Sequence, residues 1–231
     1  IVSIKKGTAP VTETTTMIDV LFGAPIIEQE NKYYHTVTNE VTDNIELPNN
    51  YKTNILTYKI RLENFLGEHN INEMYTEFKI PKHTGGFRTI DAPNDELKTF
   101  MREFTHTFLR DFKLLPHDSA YAYVKKRSVI DAVKEHQANK SRWFLKIDLK
   151  DFFGSCSKEF IVKQLSKVYP FAMGDTDTKE FLEVLADFSC LNNKLPQGTP
   201  VSPWLTNLLM IEFDYKITKL LNNIHNLGLT S

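Results

Sequence analysis

The order of secondary-structure signals along this 231-residue chain predicts an α+β fold. Three observations predict it. A hairpin signal lies in "TEFKIPKHTGGFRTIDAP": Phe78 and Ile80 alternate with polar neighbours, Gly85-Gly86 supplies a turn, and Phe87 and Ile90 resume the apolar pattern. Behind it, "DELKTFMREFTHTFLRDF" sets Leu97, Phe100, Met101, Phe104, Phe108 and Phe112 at helical spacing, an aromatic stripe that reads as core. Further on, "RWFLKID" is rich in aromatic and branched residues and reads as a buried strand followed by helical patterns.

The remaining elements follow in chain order. The first 50 residues, with "GTAPVTETTT" and "TVTNEVTDNIELPNN", read as loops with an edge strand and receive no function. From Tyr51 onward, "LTYKIRLENFLGEH" has the pattern of a short amphipathic helix, and "SVIDAVKEH" that of another. After the buried strand, "SKEFIVKQLSKVY" and "DTKEFLEVLADFS" are helical, the second with Asp177 and Glu180 spaced as a capping box. The turn "KLPQGTPVSP" then leads into a long helix expected from about Trp204 to Asn222, with Ser202 as cap and Pro203 in the first turn. No internal repeat is present.

Composition narrows the classes. Hydrophobic residues at 41% and aromatics at 12% suffice for a core in one or two domains. No apolar run approaches a membrane span and the N-terminus has no signal-peptide pattern, so no membrane partner is expected. The chain does not begin with Met, which suggests a processed product or a fragment. Cys156 and Cys190 have no C-x-x-C or His pair nearby, which argues against a zinc site and suits a reducing, cytoplasmic setting. The net charge of −1 conceals a pattern. Residues 1–78 hold 6 Lys+Arg and 11 Asp+Glu, residues 79–146 hold 14 and 8, and residues 147–231 hold 8 and 10. A basic middle between acidic flanks could meet a phosphate backbone, although on charge alone an ordinary solvated surface is the favoured reading.

Asp148 and Asp151 stand where the strand ends, a place suited to holding a divalent ion through oxygen ligands. Two such ions can stabilise the attacking and leaving oxygens of a phosphoryl transfer. Strand alternation gives the two aspartates unequal roles, with Asp148 on the metal and Asp151 peripheral, acting through its backbone. Taken alone, D-x-x-D is an ordinary solvated strand end. Two other stretches add to it. Gln197 and Gly198 sit in a tight turn where glycine permits close backbone approach and Gln offers a donor and an acceptor. Lys79, Lys82, His83 and Arg88 cluster at the hairpin tip, cations suited to triphosphate oxygens.

In this order the stretches resemble one family, the reverse transcriptases, specifically the bacterial retron and group II intron-like type. "FKIPKHTGGFRTIDAPNDELK" resembles the family's fingers hairpin, and "AYAYVKKRSVIDAVKEH" its "GF-KGRS--TNA--H" segment. "KIDLKDFFGS" looks like motif A and "LPQGTPVSPWLTNL" like motif B. The likeness covers roughly residues 75–210.

The resemblance implies a right-hand polymerase, with a β-hairpin and helices packed on a small antiparallel sheet. Residues 56–142 would be fingers, 143–231 a partial palm, and 1–55 an extension of unassigned role. It implies an RNA-directed DNA polymerase using two Mg2+ ions, deoxynucleoside triphosphates, an RNA template and a DNA or RNA primer. Asp148 matches the catalytic metal carboxylate, and Asp151 the residue whose region contacts the triphosphate. Phe153 matches the aromatic that crowds the sugar 2′ position, and Phe152 is expected in the core. Gln197 and Gly198 match nucleotide and template contacts, while Lys82 (or Lys79) and Arg88 match residues gripping the β- and γ-phosphates. Lys125, Lys126 and Arg127 lie where the family lines its template path, and His136 is expected to be structural. The glycines of "GF-KGRS" are missing, and Asp131 stands where Asn is usual. The Tyr-x-Asp-Asp hairpin is missing too, for no Asp-Asp occurs in the chain, so truncation and inactivity of this chain alone are expected. Competing readings are a non-catalytic nucleic-acid-binding or scaffold module and a defence polymerase that works without a template. An RNA-dependent RNA polymerase is disfavoured by Phe153 and by the Gln-Gly pair.

Overall fold

The computed structural model describes residues 2–6, 9–11, 33–34, 41–42, 47–83, 85–138 and 144–223. The expected α+β class is what it has: a helical core flanked by small antiparallel pairings. Trp143, most of residues 1–46, and the chain after Asn223 lie outside the described residues.

The core is built on two helices, α1 (Tyr51–Glu68) and α2 (Asp95–Asp111). The α2 stripe is buried as its spacing predicts: Leu97, Met101, Phe104, Phe108 and Phe112 are inside, and Phe100 is half-buried against them. Asn94 caps α2 by accepting the Leu97 amide at 2.9 Å. Asp95 and Glu96 in the first turn and Arg110 in the last complement the helix dipole. From α1, Tyr58 packs edge-on against Phe104 and Phe108, and its hydroxyl donates to Asp111 at 2.7 Å.

Beyond the core helices come α3 (Val129–Ala138), α4 (Phe152–Ser155), α5 (Lys158–Leu165) and α6 (Thr176–Ser189). Phe181 and Phe188 of α6 join the same aromatic cluster. The capping box expected at Asp177 and Glu180 does not form. Asp175 takes the N-cap position, and Glu180 is drawn away into an ion pair with Lys59 of α1. The long helix expected after the turn is two, α7 (Ser202–Leu209) and α8 (Ile211–Asn223), separated at Met210. Ser202 is not their cap either; Thr199 accepts the Ser202 amide instead, at 3.1 Å.

Strands β1 (Val2–Lys6), β2 (Ala9–Val11), β3 (Tyr33–Tyr34) and β4 (Val41–Thr42) lie in the N-terminal region. The expected hairpin is β5 (Tyr75–Pro81) paired with β6 (Phe87–Pro93), with Ile80 opposite Arg88 and Lys79 opposite Thr89. The strand ahead of Asp148 is β7 (Phe144–Ile147). It is not a wholly buried strand: it lies at one edge of the sheet β2-β1-β7, with Lys146 exposed and Ile147 half-buried. Its partner is β1, Val2 facing Ile147 and Lys5 facing Phe144. Part of the supposed N-terminal extension thus shares a sheet with the strand that carries Asp148. Residues 55 and 56, between which a boundary was expected, both lie inside α1. No helix among the described residues is long and apolar enough to cross a membrane.

Candidate functional site

Two backbone hydrogen bonds assemble the site. The Asp91 amide of β6 donates to the Gln197 carbonyl at 2.9 Å, and the Leu195 amide donates to the Cys156 carbonyl at 3.1 Å. Residues 195–198 therefore join the root of the β5–β6 hairpin to the end of α4, four residues beyond the segment that leaves β7. The three stretches singled out in the sequence meet at this turn.

The turn is rigid for stated reasons. The buried Ser202 hydroxyl donates to the Pro196 carbonyl at 2.7 Å and lies 2.7 Å from the Thr199 hydroxyl. A hydroxyl has one proton, so Thr199 is the donor of that second bond and also receives the Ser202 amide. Gly198 has φ +114°, and a β-carbon there would lie 2.9 Å from Ile90 Cγ2 and 3.3 Å from the Asp91 carbonyl oxygen. Only glycine fits without strain.

Asp148 follows β7 and is exposed. Asp151 adopts a left-handed backbone, φ +50°, as the N-cap of α4. Its side chain folds over Gly154, where a β-carbon would come within 2.6 Å of Oδ2. Its carbonyl accepts both the Ser155 amide at 3.0 Å and the Ser155 hydroxyl at 2.8 Å. Phe152 and Phe153 are both half-buried against the core, with ring centroids 6.1 Å apart, so burial does not divide their roles as the sequence reading did.

The hairpin projects from this assembly. Lys82 and Arg88 are exposed near its tip. Arg88 and Ile90 are two apart on β6 and share a face, the one turned to Gly198; Lys79, opposite Thr89, lies on the other. At the root, Glu77 sits directly opposite Asp91. Burial first, and then the Glu77 charge, push the Asp91 carboxyl above its usual range.

Lys125 and Lys126 are exposed, and Lys126 has φ +68°. Arg127, expected beside them on the template path, turns inward. Its Nη1 donates to the carbonyls of Ala120 at 2.6 Å, Asp118 at 2.7 Å and His117 at 3.3 Å, and its guanidinium lies over the Tyr121 ring. The same loop is tied to α7 by Asn207 Nδ2, which donates to the Ala122 carbonyl at 2.9 Å. Asn207 belongs to the stretch "LPQGTPVSPWLTNL", and no sequence signal beyond that place marks it. Asp131, the departure from the expected Asn, completes a capping box with Ser128. It accepts the Ser128 amide at 2.9 Å and the Ser128 hydroxyl at 2.6 Å, and these bonds hold its carboxyl below the usual range. His136 is half-buried and has an interaction partner.

Among the described residues no group of three or more His, Cys, Asp or Glu is arranged to hold a metal. Magnesium needs fewer protein ligands, commonly one or two carboxylates together with substrate phosphates and water. An exposed Asp148 at a strand end fits that donor chemistry.

Residues 80–227 match the family described as "Reverse transcriptase (RNA-dependent DNA polymerase)". The chain is 32% identical to the Retron Ec73 reverse transcriptase of Escherichia coli over 156 residues, which is 67% of this chain and 49% of that protein. It is 32% identical to the Retron Ec83 reverse transcriptase of Escherichia coli over 149 residues, 62% of this chain and 46% of the relative. Over 174 residues it is 29% identical to the Retron Mx162 reverse transcriptase of Myxococcus xanthus, 70% of this chain and 35% of that one. The chain thus spans about half the length, or less, of these curated relatives. With the hairpin, the strand end and the glutamine-glycine turn joined at one place, and the matched segment covering most of the described core, this chain belongs to the reverse transcriptase family.

Proposed function

We propose that the chain is the fingers and part of the palm of an RNA-directed DNA polymerase, adding deoxynucleotides to a primer 3′-hydroxyl. The observation that carries this reading is the joining of hairpin, turn and α4 through the Asp91–Gln197 and Leu195–Cys156 backbone bonds. Those bonds hold the groups that would bind a nucleotide relative to the carboxylate that would bind its metal. Hairpin and helices up to about residue 142 would serve as fingers, and the segment from 143 as palm, with β1 supporting the β7 strand.

In the reaction, the primer hydroxyl loses its proton to water, its oxygen forms a bond to the α-phosphorus, and the bond from that phosphorus to the bridging oxygen breaks, releasing pyrophosphate. Asp148 would hold Mg2+, and Mg2+ bound there would offset charge on the attacking and leaving oxygens. Arg88 grips phosphate oxygens from the face turned to Gly198, with Lys82 at the tip; Lys79 is on the wrong face for this task. The left-handed Asp151 turn presents backbone near the triphosphate, while the side chain stays folded on Gly154. Phe153 tests the sugar, since the 2′-hydroxyl is what separates RNA precursors from DNA precursors. Gln197, with its carbonyl committed to the hairpin root, keeps its side-chain amide for nucleotide or template. Lys125 and Lys126 contact template phosphates, and Arg127 holds their loop. The free, buried thiols of Cys156 and Cys190 suit a cytoplasmic setting.

Nucleotide binding by the purified chain tests this. A fluorescent deoxynucleoside triphosphate with Mg2+ should bind wild type, and Asp148→Asn or Arg88→Ala should weaken it about tenfold or more. Undiminished binding by both variants sinks the assignment. Asp148 is here without an Asp-Asp hairpin, so the chain alone should extend no primer, and extension would overturn that part.

A further inference from the structure

We propose that the open cleft between α1 and α2 is a second nucleic-acid contact, taking the phosphate backbone of an RNA strand away from the hairpin, β7 and the turn. The cleft has a volume of about 530 Å³ and is lined by Arg61, Arg102, Glu103, His106 and Thr107. None of these residues has a part in the polymerase reading above, so the inference goes beyond it.

Three features favour a polyanion. Arg102 and His106 are exposed, lie one helical turn apart on α2, and have no hydrogen-bond or ion-pair partner among the described residues. Arg61 faces them from α1, and its guanidinium is already oriented, 5.0 Å above the Phe100 ring, which stacks on Phe65 at 4.0 Å. An oriented fork loses less freedom on binding a phosphate than a free side chain does. The single acid in the cleft, Glu103, is 3.7 Å from Arg61 Nη2 with its side chain 66% exposed, a loose pair that a phosphate can displace.

The shape selects the source of the phosphate. A free phosphate or nucleotide is held by donors that converge in an enclosed pocket. This cleft is open along its length, and Lys98, Arg102, His106 and Arg110 recur every four residues beside it, a row suited to a repeating backbone. Arg110 is already paired with Asp111 at 2.7 Å, so Arg102 and Arg61 are the principal contacts.

Fluorescence anisotropy of a labelled poly-uridine RNA, titrated with the full 231-residue chain across a salt series, tests the proposal. Arg102→Ala should weaken binding about tenfold and lower the slope of log affinity against log salt by about 0.7. Glu103→Gln should tighten binding about two- to fivefold by removing the opposing charge, an effect no folding defect would produce. Lys179→Ala, an exposed cation elsewhere, should change neither. The proposal is overturned if wild type fails to bind RNA, if Arg102→Ala binds as wild type, or if Glu103→Gln binds no tighter. It is also overturned if inorganic phosphate, at constant ionic strength, displaces RNA from wild type but not from Arg102→Ala. Binding of the deoxynucleotide probe, altered by Asp148→Asn, should be unaffected by Arg102→Ala, which separates failure here from failure of the polymerase reading.

Discussion

Replacing Gly198 with alanine should unlock the hairpin from the turn. The residue has φ +114°, a backbone conformation almost confined to glycine, and holding alanine there costs on the order of 1–3 kcal/mol. Its new β-carbon would lie 2.9 Å from Ile90 Cγ2, and forcing Ile90 off its rotamer adds about 0.5–1.5 kcal/mol. The Asp91 carbonyl oxygen at 3.3 Å belongs to the backbone of β6 and yields less easily. The sum is about 1.5–4.5 kcal/mol, and at roughly 2–4 °C per kcal/mol for a chain of this size the melting midpoint should fall by about 3–18 °C. Reversible thermal unfolding followed by circular dichroism measures it. Adding Ile90→Ala should recover only the clash portion, leaving the backbone cost in place. A Gly198→Ala variant within about 0.5 kcal/mol of wild type would refute the reasoning.

Other expectations follow from the same bonds. Glu212, paired with Lys167 at 2.5 Å and Lys216 at 2.8 Å, has a carboxyl that burial alone would raise, but the two ammonium groups outweigh burial and hold it low. Such a carboxyl adds stability above its unfolded value of about 4.3, and the stability is lost as pH falls through the lower folded value. Glu212→Gln should therefore cost about 1–3 kcal/mol at neutral pH, with the gap to wild type closing below pH ~4; a constant gap across an acid titration counts against the pairing. Arg127→Ala should loosen residues 117–121, read as faster proteolysis there, and Arg127→Lys should fail to restore it because an ammonium has neither a second nitrogen to reach the Asp118 carboxylate, 3.3 Å from Nη2, nor a planar group to lie over the Tyr121 ring. Gly154→Ala should displace the flexible Asp151 carboxylate and leave the melting midpoint nearly unchanged while weakening nucleotide binding. Asp131→Ala should speed amide exchange in α3, with Asp131→Asn closer to wild type; identical exchange in all three would count against the capping box.

The parts of this fold that could be read in advance are those where one physical effect dominates. Large aromatic side chains at helical spacing have few places to go but inward, so the α2 stripe from Leu97 to Phe112 was legible. The hairpin was legible because Gly85 and Gly86, both at positive φ, punctuate two alternating runs. Elsewhere, competitors were of similar strength. Glu180 could serve its own helix or Lys59, and three adjacent cations at 125–127 do not announce which one will meet the carbonyls. The break at Met210 has no Gly or Pro to signal it. Of the candidate site, Asp148, Gln197 and Arg88 stand out in the sequence by their chemistry, but the amide of Asp91 and the carbonyl of Cys156, which join its parts, are groups every residue has. Thr199, through two bonds to Ser202, and Asn207, through one to the Ala122 carbonyl, act by hydrogen bonds that no pattern foretells.

The pairing of β1 with β7 bears on how the chain comes to be folded. Val2 and Ile147 are partners although well over half the sequence separates them, whereas β5 and β6 meet across a few residues. Local pairings close quickly and distant ones must first overcome the entropy of a long loop. During synthesis the first strand would leave the ribosome long before its partner existed, presenting unpaired amides and carbonyls in the interval. The hairpin and the α1–α2 core can form in that time. The sheet beneath Asp148 must wait, which makes the carboxylate that would hold the metal one of the last parts of the site to find its support.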